Sequence, residues 1–130
     1  SKIVDWIDNL INEHCPNCSS FCDIFAGTGV VTNSLINKFN KFVINDFLYS
    51  NEIIYKAFFL KQNYSVDKLG KFCRKYKNLN ASELSDNYVS KNYGNKYFSL
   101  EDSLKIGFIR EDIENNKSKL NKKEYCILLA

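Results

Sequence analysis

The hydrophobic pattern of the first half of the chain alternates between helical and extended segments. Apolar residues recur at helical spacing in residues 2–14, which predicts an amphipathic helix that packs on a sheet. Two nearly continuous apolar runs, residues 21–25 and 42–45, predict parallel strands that are covered on both faces. Helical patterns in residues 30–39 and 51–61 follow these runs. The order of these segments predicts an α/β fold with a short parallel sheet.

The second half of the chain shows no sheet pattern and is predicted to be helix-rich. Ser65 is placed to cap a helix whose apolar residues continue at helical spacing. Residues 99–115 begin with a cap and early acids, which predict another helix, and residues 122–130 predict a further helix or strand. We therefore expect a sheet-containing part in residues 1–62 and a helical part in residues 63–130.

The turn after the first predicted strand carries the most specific chemistry. Gly27 and Gly29, which flank Thr28, allow positive φ angles and let a ligand approach the backbone closely. The helix that follows offers unpaired N–H groups and the positive end of its dipole. Asp46 ends the second strand 23 residues after Asp23, near the ~20-residue spacing of an acid that binds ribose. A third glycine is absent, which favours a small adenosine compound over a pyrophosphate.

The motif at this turn resembles that of a known enzyme family. The segment DIFAGTG, residues 23–29, resembles the FxGxG signature of S-adenosylmethionine-dependent methyltransferases. Together with Asp46 and the NEIIYKAF segment that follows, it resembles the DNA adenine methylase family over residues 20–60. Residues 92–114, NYGNKYFSLEDSLKIGFIREDIE, are similar to a segment of some restriction-associated members. The resemblance implies a partial Rossmann-like methyltransferase fold with a short parallel sheet and a helix-rich second half.

The same resemblance implies a set of cofactor-binding residues for S-adenosylmethionine. Phe25, Gly27 and Gly29 would wrap the methionine part, Asp23 would lie beneath it, and Asp46 would bind the ribose. The full set is Asp23, Phe25, Ala26, Gly27, Thr28, Gly29, Asp46 and Phe47. Phe47 is expected either to cover the adenine ring or to pack in the core, and the sequence favours neither.

The implied reaction is methylation of the exocyclic amine of adenine in double-stranded DNA. Family members hold the acceptor with a (D/N)PP(Y/F) tetrapeptide, but Pro16 is the only proline here and no such tetrapeptide occurs. We therefore expect no catalytic residue in this chain. We expect it to be the amino-terminal fragment of an active enzyme, inactive alone, with a restriction endonuclease of the same system as a possible partner.

Charge is unevenly distributed along the chain. The net charge is +3, with five Lys/Arg and six Asp/Glu in residues 1–62 against thirteen and nine in residues 63–130. Lys71, Arg74 and Lys75 lie in a predicted basic helix that suits DNA phosphates, although a solvated helix face fits equally well. With 45% hydrophobic and 25% charged residues and no apolar run of membrane length, the chain is expected to be cytoplasmic.

Three tyrosines lie in a polar segment between the predicted helices. Tyr88, Tyr93 and Tyr97 occur beside Lys91 and Lys96. Aromatic residues in such surroundings can stack on an extruded base. They are also typical of ordinary packing, which is the commoner case, and the sequence leaves both interpretations open.

The five cysteines favour reduced thiols over disulfides, because their number is odd. His14, Cys15, Cys18 and Cys22 resemble a zinc cluster, but Cys22 lies within a predicted strand and no second CxxC pair exists. We therefore predict no metal site. The alternatives are a methyltransferase for RNA or a small molecule, a non-enzymatic nucleic-acid-binding module with a zinc knuckle, and, less favoured, a nicotinamide-binding domain.

Overall fold

A computed structural model describes residues 2–130. These residues form two parallel strands, seven α-helices and two short 3-10 turns. In chain order the helices and strands are α1 (Lys2–His14), β1 (Ser20–Asp23), α2 (Val30–Leu35), β2 (Lys41–Ile44), α3 (Tyr49–Phe59), α4 (Val66–Lys77), α5 (Tyr88–Tyr93), α6 (Leu100–Asn115) and α7 (Lys122–Leu129). The chain divides into two compact units, the first ending at Phe59 and the second comprising Leu60–Ala130.

The parallel sheet of the first unit consists of β1 and β2. Ser20 pairs with Lys41 at one end of the register and Asp23 pairs with Ile44 at the other. Both strands begin one residue earlier than predicted and end sooner, and α2 ends at Leu35 instead of residue 39. The prediction of a short parallel sheet followed by a helix-rich second half is confirmed.

The sheet differs from the prediction in how it is covered. Side chains alternate between exposed and half-buried along both strands, as expected when only one face is packed. Phe21 and Phe42 form the packed face with Phe39, whose ring centroid lies 5.5 Å and 5.9 Å from theirs. Val43 on the other face is 47% exposed. The prediction of two covered faces is therefore wrong for the described part of the chain, residues 2–130.

Helix α1 has the predicted bounds and contacts α2. Its packing is looser than its apolar stripe suggested, since it has no fully buried residue. Ile3 is 70% exposed and Trp6 is 61% exposed, so Trp6 is not a core residue. An ion pair between Asp8 and Lys38 links α1 to the turn after α2.

The second unit is a helical assembly whose buried apolar residues include Leu69, Ile113 and Cys126. The side chain of Ser65 accepts from the Lys68 N–H at 3.2 Å and caps α4 as predicted. Ser99 caps α6 in the same way, and residues 122–129 are helical and not extended.

A buried carboxylate holds the ends of two of these helices. Glu124 is 1% exposed, and its Oε1 accepts from the Ser65 N–H at 2.9 Å. Its Oε2 accepts from the Asn121 N–H at 3.0 Å and from Lys68 Nζ at 2.8 Å. The bond from Lys68 is the largest of the effects that lower the Glu124 pKa to about 2.

Candidate functional site

The glycine turn of the first unit is anchored between the ends of the two strands. The Asn45 N–H donates to the Asp23 carbonyl at 2.8 Å, and the Ala26 N–H donates to the Asn45 carbonyl at 3.0 Å. Gly27 and Gly29 then have φ angles of +53° and +76°. These angles explain why the sequence has glycine at both positions, since side chains with a Cβ are disfavoured there.

Asp46 ties the end of β2 to this turn. Its Oδ2 accepts from the Gly27 N–H at 2.9 Å, and its Oδ1 accepts from the Leu48 N–H at 3.0 Å and from Asn51 Nδ2 at 2.8 Å. The bonds from Leu48, Gly27 and Asn51, in that order, hold the pKa of Asp46 below its usual value. The carboxylate therefore carries its negative charge at neutral pH.

These bonds limit what else Asp46 can accept. A carboxylate offers about four acceptor positions, and three are used by Gly27, Leu48 and Asn51. The free position is on Oδ2. One ribose hydroxyl fits this arrangement, whereas two hydroxyls would require one of the present donors to leave.

Helix α3 contributes two residues that the sequence interpretation missed. Asn51 bonds Asp46, and Tyr55 donates from its hydroxyl to the Gly27 carbonyl at 2.5 Å. Both residues lie on one face of α3 because they are four positions apart. Tyr55 is 6% exposed, and burial is the main reason that its pKa is raised. Helix α3 also contains the polar pair Glu52 and Lys56 at the same spacing, so the sequence carried no signal that singled out Asn51 and Tyr55.

Asp23 has a different set of contacts from Asp46. Its Oδ2 accepts from Thr32 Oγ1 at 2.8 Å. Thr32 is completely buried in α2, so this bond fixes the first turns of α2 against the end of β1. The structure thus gives Asp23 a structural partner, and its predicted place beneath a cofactor stays a prediction.

The two aromatic residues expected to contact a cofactor lie at the surface. Phe25 is 86% exposed and Phe47 is 98% exposed. The core-packing alternative for Phe47 is therefore not what the structure shows. Both rings are available to cover a ligand beside the turn.

Two cavities lie beside the site residues. One, of about 320 Å³, is lined by Asp46, Phe47 and Tyr55 together with Ile44, Asn45, Leu48, Tyr49 and Glu52. The other, of about 230 Å³, is lined by Thr28, Gly29, Val30, Asn33, Phe58 and Phe59. Asp23, Phe25, Ala26 and Gly27 line neither of them, so the predicted set is divided among two cavities and the turn itself.

The residues predicted to contact DNA lie on α4 in the second unit. Lys75 donates to Asp112 at 2.7 Å and lies 5.4 Å from the Phe108 ring centroid. Lys71 and Arg74 are exposed, and neither forms an ion pair with an acid in the described range. Two of the three cations are therefore accessible to an anionic ligand, and the third is engaged within the protein.

The cysteines near His14 do not converge. Cys15, Cys18 and Cys22 are all exposed. Across residues 2–130, no group of three His, Cys, Asp or Glu side chains is close enough to hold a metal ion. The zinc-knuckle alternative therefore lacks its ligand set in the described chain. None of the helices in this range is long and apolar enough to cross a bilayer.

In α/β proteins that bind nucleotide-like cofactors, a glycine turn after the first strand and an acid about 20 residues further on contact the ligand, and this chain has both parts joined by a hydrogen bond. The model of one family, the D12 class N6 adenine-specific DNA methyltransferases, matches residues 1–130. The chain belongs to this family, and the resemblance found in the sequence is confirmed.

Three curated relatives illustrate the membership. The chain is 30% identical to the modification methylase LlaI of Lactococcus lactis subsp. lactis and 30% identical to the type II methyltransferase M.CviAII of Paramecium bursaria Chlorella virus 1. It is 28% identical to the type II methyltransferase M.NlaIII of Neisseria lactamica. The matches cover 99–100% of this chain but only 23%, 40% and 41% of these relatives. No solved structure matches the chain significantly.

Proposed function

We propose that this chain is the cofactor-binding part of an enzyme that transfers a methyl group from S-adenosylmethionine to the exocyclic amine of adenine in double-stranded DNA. The observation that carries the proposal is the 2.9 Å bond from the Gly27 N–H to the Asp46 carboxylate. This bond joins the two motif elements that the family resemblance assigns to the methionine and ribose ends of the cofactor. The sheet and turn then form the first part of a Rossmann-like methyltransferase fold.

The residues of the turn fit an adenosine compound on two counts. A Cβ built on Gly27 meets nothing within 4 Å, so the space above this residue is open to a ligand. Asp46 retains one acceptor position on Oδ2 for a ribose hydroxyl, as counted above. The Phe47 ring beside it is free to cover the adenine base.

When bound, S-adenosylmethionine would supply a methyl group on a positively charged sulfur. An amine nitrogen would bond to the methyl carbon as the carbon–sulfur bond breaks, leaving the electron pair on sulfur, and the nitrogen would then lose a proton. The contribution of this chain is to bind and orient the donor, because holding two reactants in a fixed geometry lowers the barrier for a transfer between them. The Asp46 carboxylate would hold the ribose end through its remaining lone pair. Tyr55 and Asn51 fix the turn and the acid relative to each other through the bonds described above.

The adenine acceptor lies outside the residues assigned here. The chain holds no (D/N)PP(Y/F) tetrapeptide and spans 23–41% of the relatives named above. We propose that the acceptor site belongs to a further part of the enzyme. The 130-residue chain alone then binds the donor and does not methylate DNA.

The second unit is the proposed DNA-contacting part. Lys71 and Arg74 on α4 are exposed and free of acidic partners in the described chain, which suits contacts to phosphates. The relatives are named modification and type II methyltransferases, which supports a role beside a restriction endonuclease of the same system.

Calorimetric titration of the 130-residue chain with S-adenosylmethionine tests the donor site. We expect binding by the native chain, loss of binding in Asp46→Ala, and native affinity in Asp8→Ala. Asp8 is a matched control because it lies in the same unit and forms a surface ion pair with Lys38. Circular dichroism checks that both variants are folded. Equal affinity of all three proteins would overturn the proposed role of Asp46, and no binding by the native chain would overturn the donor site.

A further inference from the structure

Three tyrosines form a continuous aromatic surface in the second unit, which we call the tyrosine ledge: Tyr88, Tyr93 and Tyr97. The ring centroids of Tyr88 and Tyr93 are 6.2 Å apart, and those of Tyr93 and Tyr97 are 6.1 Å apart. The three residues are 67%, 38% and 78% exposed. They contact one another at the surface and are not buried within the unit, so ordinary core packing does not account for them.

The backbone that carries the ledge is held in a fixed shape. The Asn87 side chain caps α5 and also donates from Nδ2 to the Leu104 carbonyl of α6 at 2.9 Å. Asn87 lies so close to Gly107 that a Cβ there would be 1.8 Å from Oδ1. The turn after α5 is closed by the Asn95 N–H, which donates to the Phe98 carbonyl at 2.8 Å. A backbone held in this way loses little conformational freedom when a ligand binds.

The charged side chains in the segment that carries the ledge are all positive. Residues 88–98 contain Lys91 and Lys96 but no Asp or Glu. Both lysines are exposed, and neither forms an ion pair with an acid in the described chain. Hydrogen bonding with Tyr88 is the main cause that raises the pKa of Tyr93. The Tyr93 phenol therefore stays neutral and adds no negative charge at neutral pH.

Nearby acids in the sequence already have partners within the chain. Asp86 accepts from Ser90 Oγ at 3.1 Å, and Asp102 accepts from Ser99 Oγ at 2.7 Å. Glu101 pairs with Lys105 at 2.6 Å. A serine hydroxyl is neutral, so Asp86 and Asp102 keep their negative charges. The segment of the ledge itself, residues 88–98, carries only the charges of Lys91 and Lys96, which complement a polyanion.

We propose that the tyrosine ledge is a DNA-contacting surface on which the face of one unpaired base stacks, while Lys91 and Lys96 contact the flanking phosphates. The rings of neighbouring tyrosines are inclined by 63° and 55°. They therefore cannot form a flat column for several consecutive bases, and the most exposed ring, Tyr97, offers one face. This inference rests on the proposed function, because that function makes DNA the ligand of the second unit.

A base analogue whose fluorescence falls on stacking tests the ledge. The probe is a short duplex with one unpaired 2-aminopurine, titrated with the 130-residue chain and compared with the same duplex fully paired. We expect quenching and tighter binding of the unpaired probe. Tyr97→Leu should remove the quenching and weaken binding of this probe by about five- to a hundredfold, as expected for loss of one base–aromatic stack. Tyr97→Phe keeps the ring and should retain both effects.

Tyr64→Leu is the matched control, since Tyr64 is a half-exposed tyrosine of the same unit that lies 5.4 Å from Lys123. It should behave as the native chain. Equal binding and quenching by Tyr97→Leu and the native chain would overturn the proposed DNA-contacting role of the tyrosine ledge. Failure of the native chain to bind either duplex would overturn it too. S-adenosylmethionine titration of the same samples reports the donor site independently. If the native chain binds S-adenosylmethionine but the unpaired probe shows no quenching, this inference alone is overturned. If the native chain does not bind S-adenosylmethionine, the result counts against the proposed function.

Discussion

Alanine substitutions at the two glycines of the turn should separate cofactor binding from stability. Gly27 has a φ angle of +53° and open space where a Cβ would lie. Gly29 has a φ angle of +76°, and its Cβ would lie 3.1 Å from Phe59 Cε2. Both substitutions strain the backbone, but only the second forces a neighbouring side chain to move.

The expected magnitudes follow from these differences. A positive φ angle costs a residue with a Cβ about 1–2 kcal/mol, and the less flexible unfolded chain returns about 0.4–1 kcal/mol. Gly27→Ala should therefore lower the free energy of unfolding by about 1 kcal/mol. Gly29→Ala adds an overpacking cost of about 1–3 kcal/mol and should lower it by about 2–4 kcal/mol.

Cofactor affinity should follow a different order from stability. The new methyl group of Gly27→Ala enters the space proposed for the ligand, so we expect S-adenosylmethionine to bind at least about tenfold more weakly. Gly27→Asn is a useful control, since asparagine tolerates positive φ and should cost less stability while blocking the site more completely. Urea unfolding and calorimetric titration measure the two quantities. Native cofactor affinity in Gly27→Asn would refute the position assigned to the ligand, and equal stability of the two alanine variants would refute the role given to Phe59.

Three further perturbations give distinct outcomes. Tyr55→Phe removes the hydroxyl that bonds the Gly27 carbonyl and should lower the free energy of unfolding by about 1 kcal/mol and weaken cofactor binding. Glu124→Gln should destabilise the chain by about 2–4 kcal/mol, because a helix cap is weakened and buried donors lose their acceptor. The stabilisation by native Glu124 is complete above its usual pKa of 4.5 and should be lost as the pH falls through its folded pKa of about 2. The double variant Lys71→Gln/Arg74→Gln should weaken DNA binding on all sequences and reduce its salt slope by about 2.

Matched variants make these results interpretable. Tyr49→Phe serves as control for Tyr55, since Tyr49 is 73% exposed on the same helix, and it should leave stability unchanged. Glu111→Gln removes an exposed acid of the second unit and should leave the acid-unfolding curve unchanged. For the DNA experiment, Lys75→Gln should have a smaller effect on the salt slope than Lys71→Gln, because Lys75 is paired with Asp112. A larger effect of Lys75→Gln than of Lys71→Gln on the salt slope would contradict the assignment of Lys71 as a cation without an acidic partner.

Local signals predicted α4 and α6, whereas α5, in the segment read as polar, was not predicted. Ser65 and Ser99 cap their helices through bonds to residues three positions ahead, and such contacts are encoded within one turn of sequence. The short apolar segment at residues 122–130 was ambiguous because periodicity cannot separate a short helix from a strand. The structure resolves it through the capping box of Asn121 and Glu124.

The site was predictable only in part. Gly27 and Asp46 were predicted as site residues because the family motif marks both positions, and the structure joins them by a hydrogen bond. Tyr55 was missed because its contact reaches across 28 residues of sequence and an aromatic residue in an apolar helix gives no sign of its hydrogen bond. The loose packing of α1 was not predictable, since a helical stripe shows which residues share a face and not how tightly that face is packed.

The central claim is that S-adenosylmethionine binds at the turn between β1 and α2 and at the end of β2. Residue-resolved NMR of the uniformly ¹⁵N-labelled chain, recorded with and without the compound, tests it most directly. The account predicts saturable shifts of the Gly27 and Leu48 amide signals, because both N–H groups are bonded to the Asp46 carboxylate. Signals of α6 should stay unchanged. Shifts confined to the second unit, or none at saturating concentration, would contradict the account.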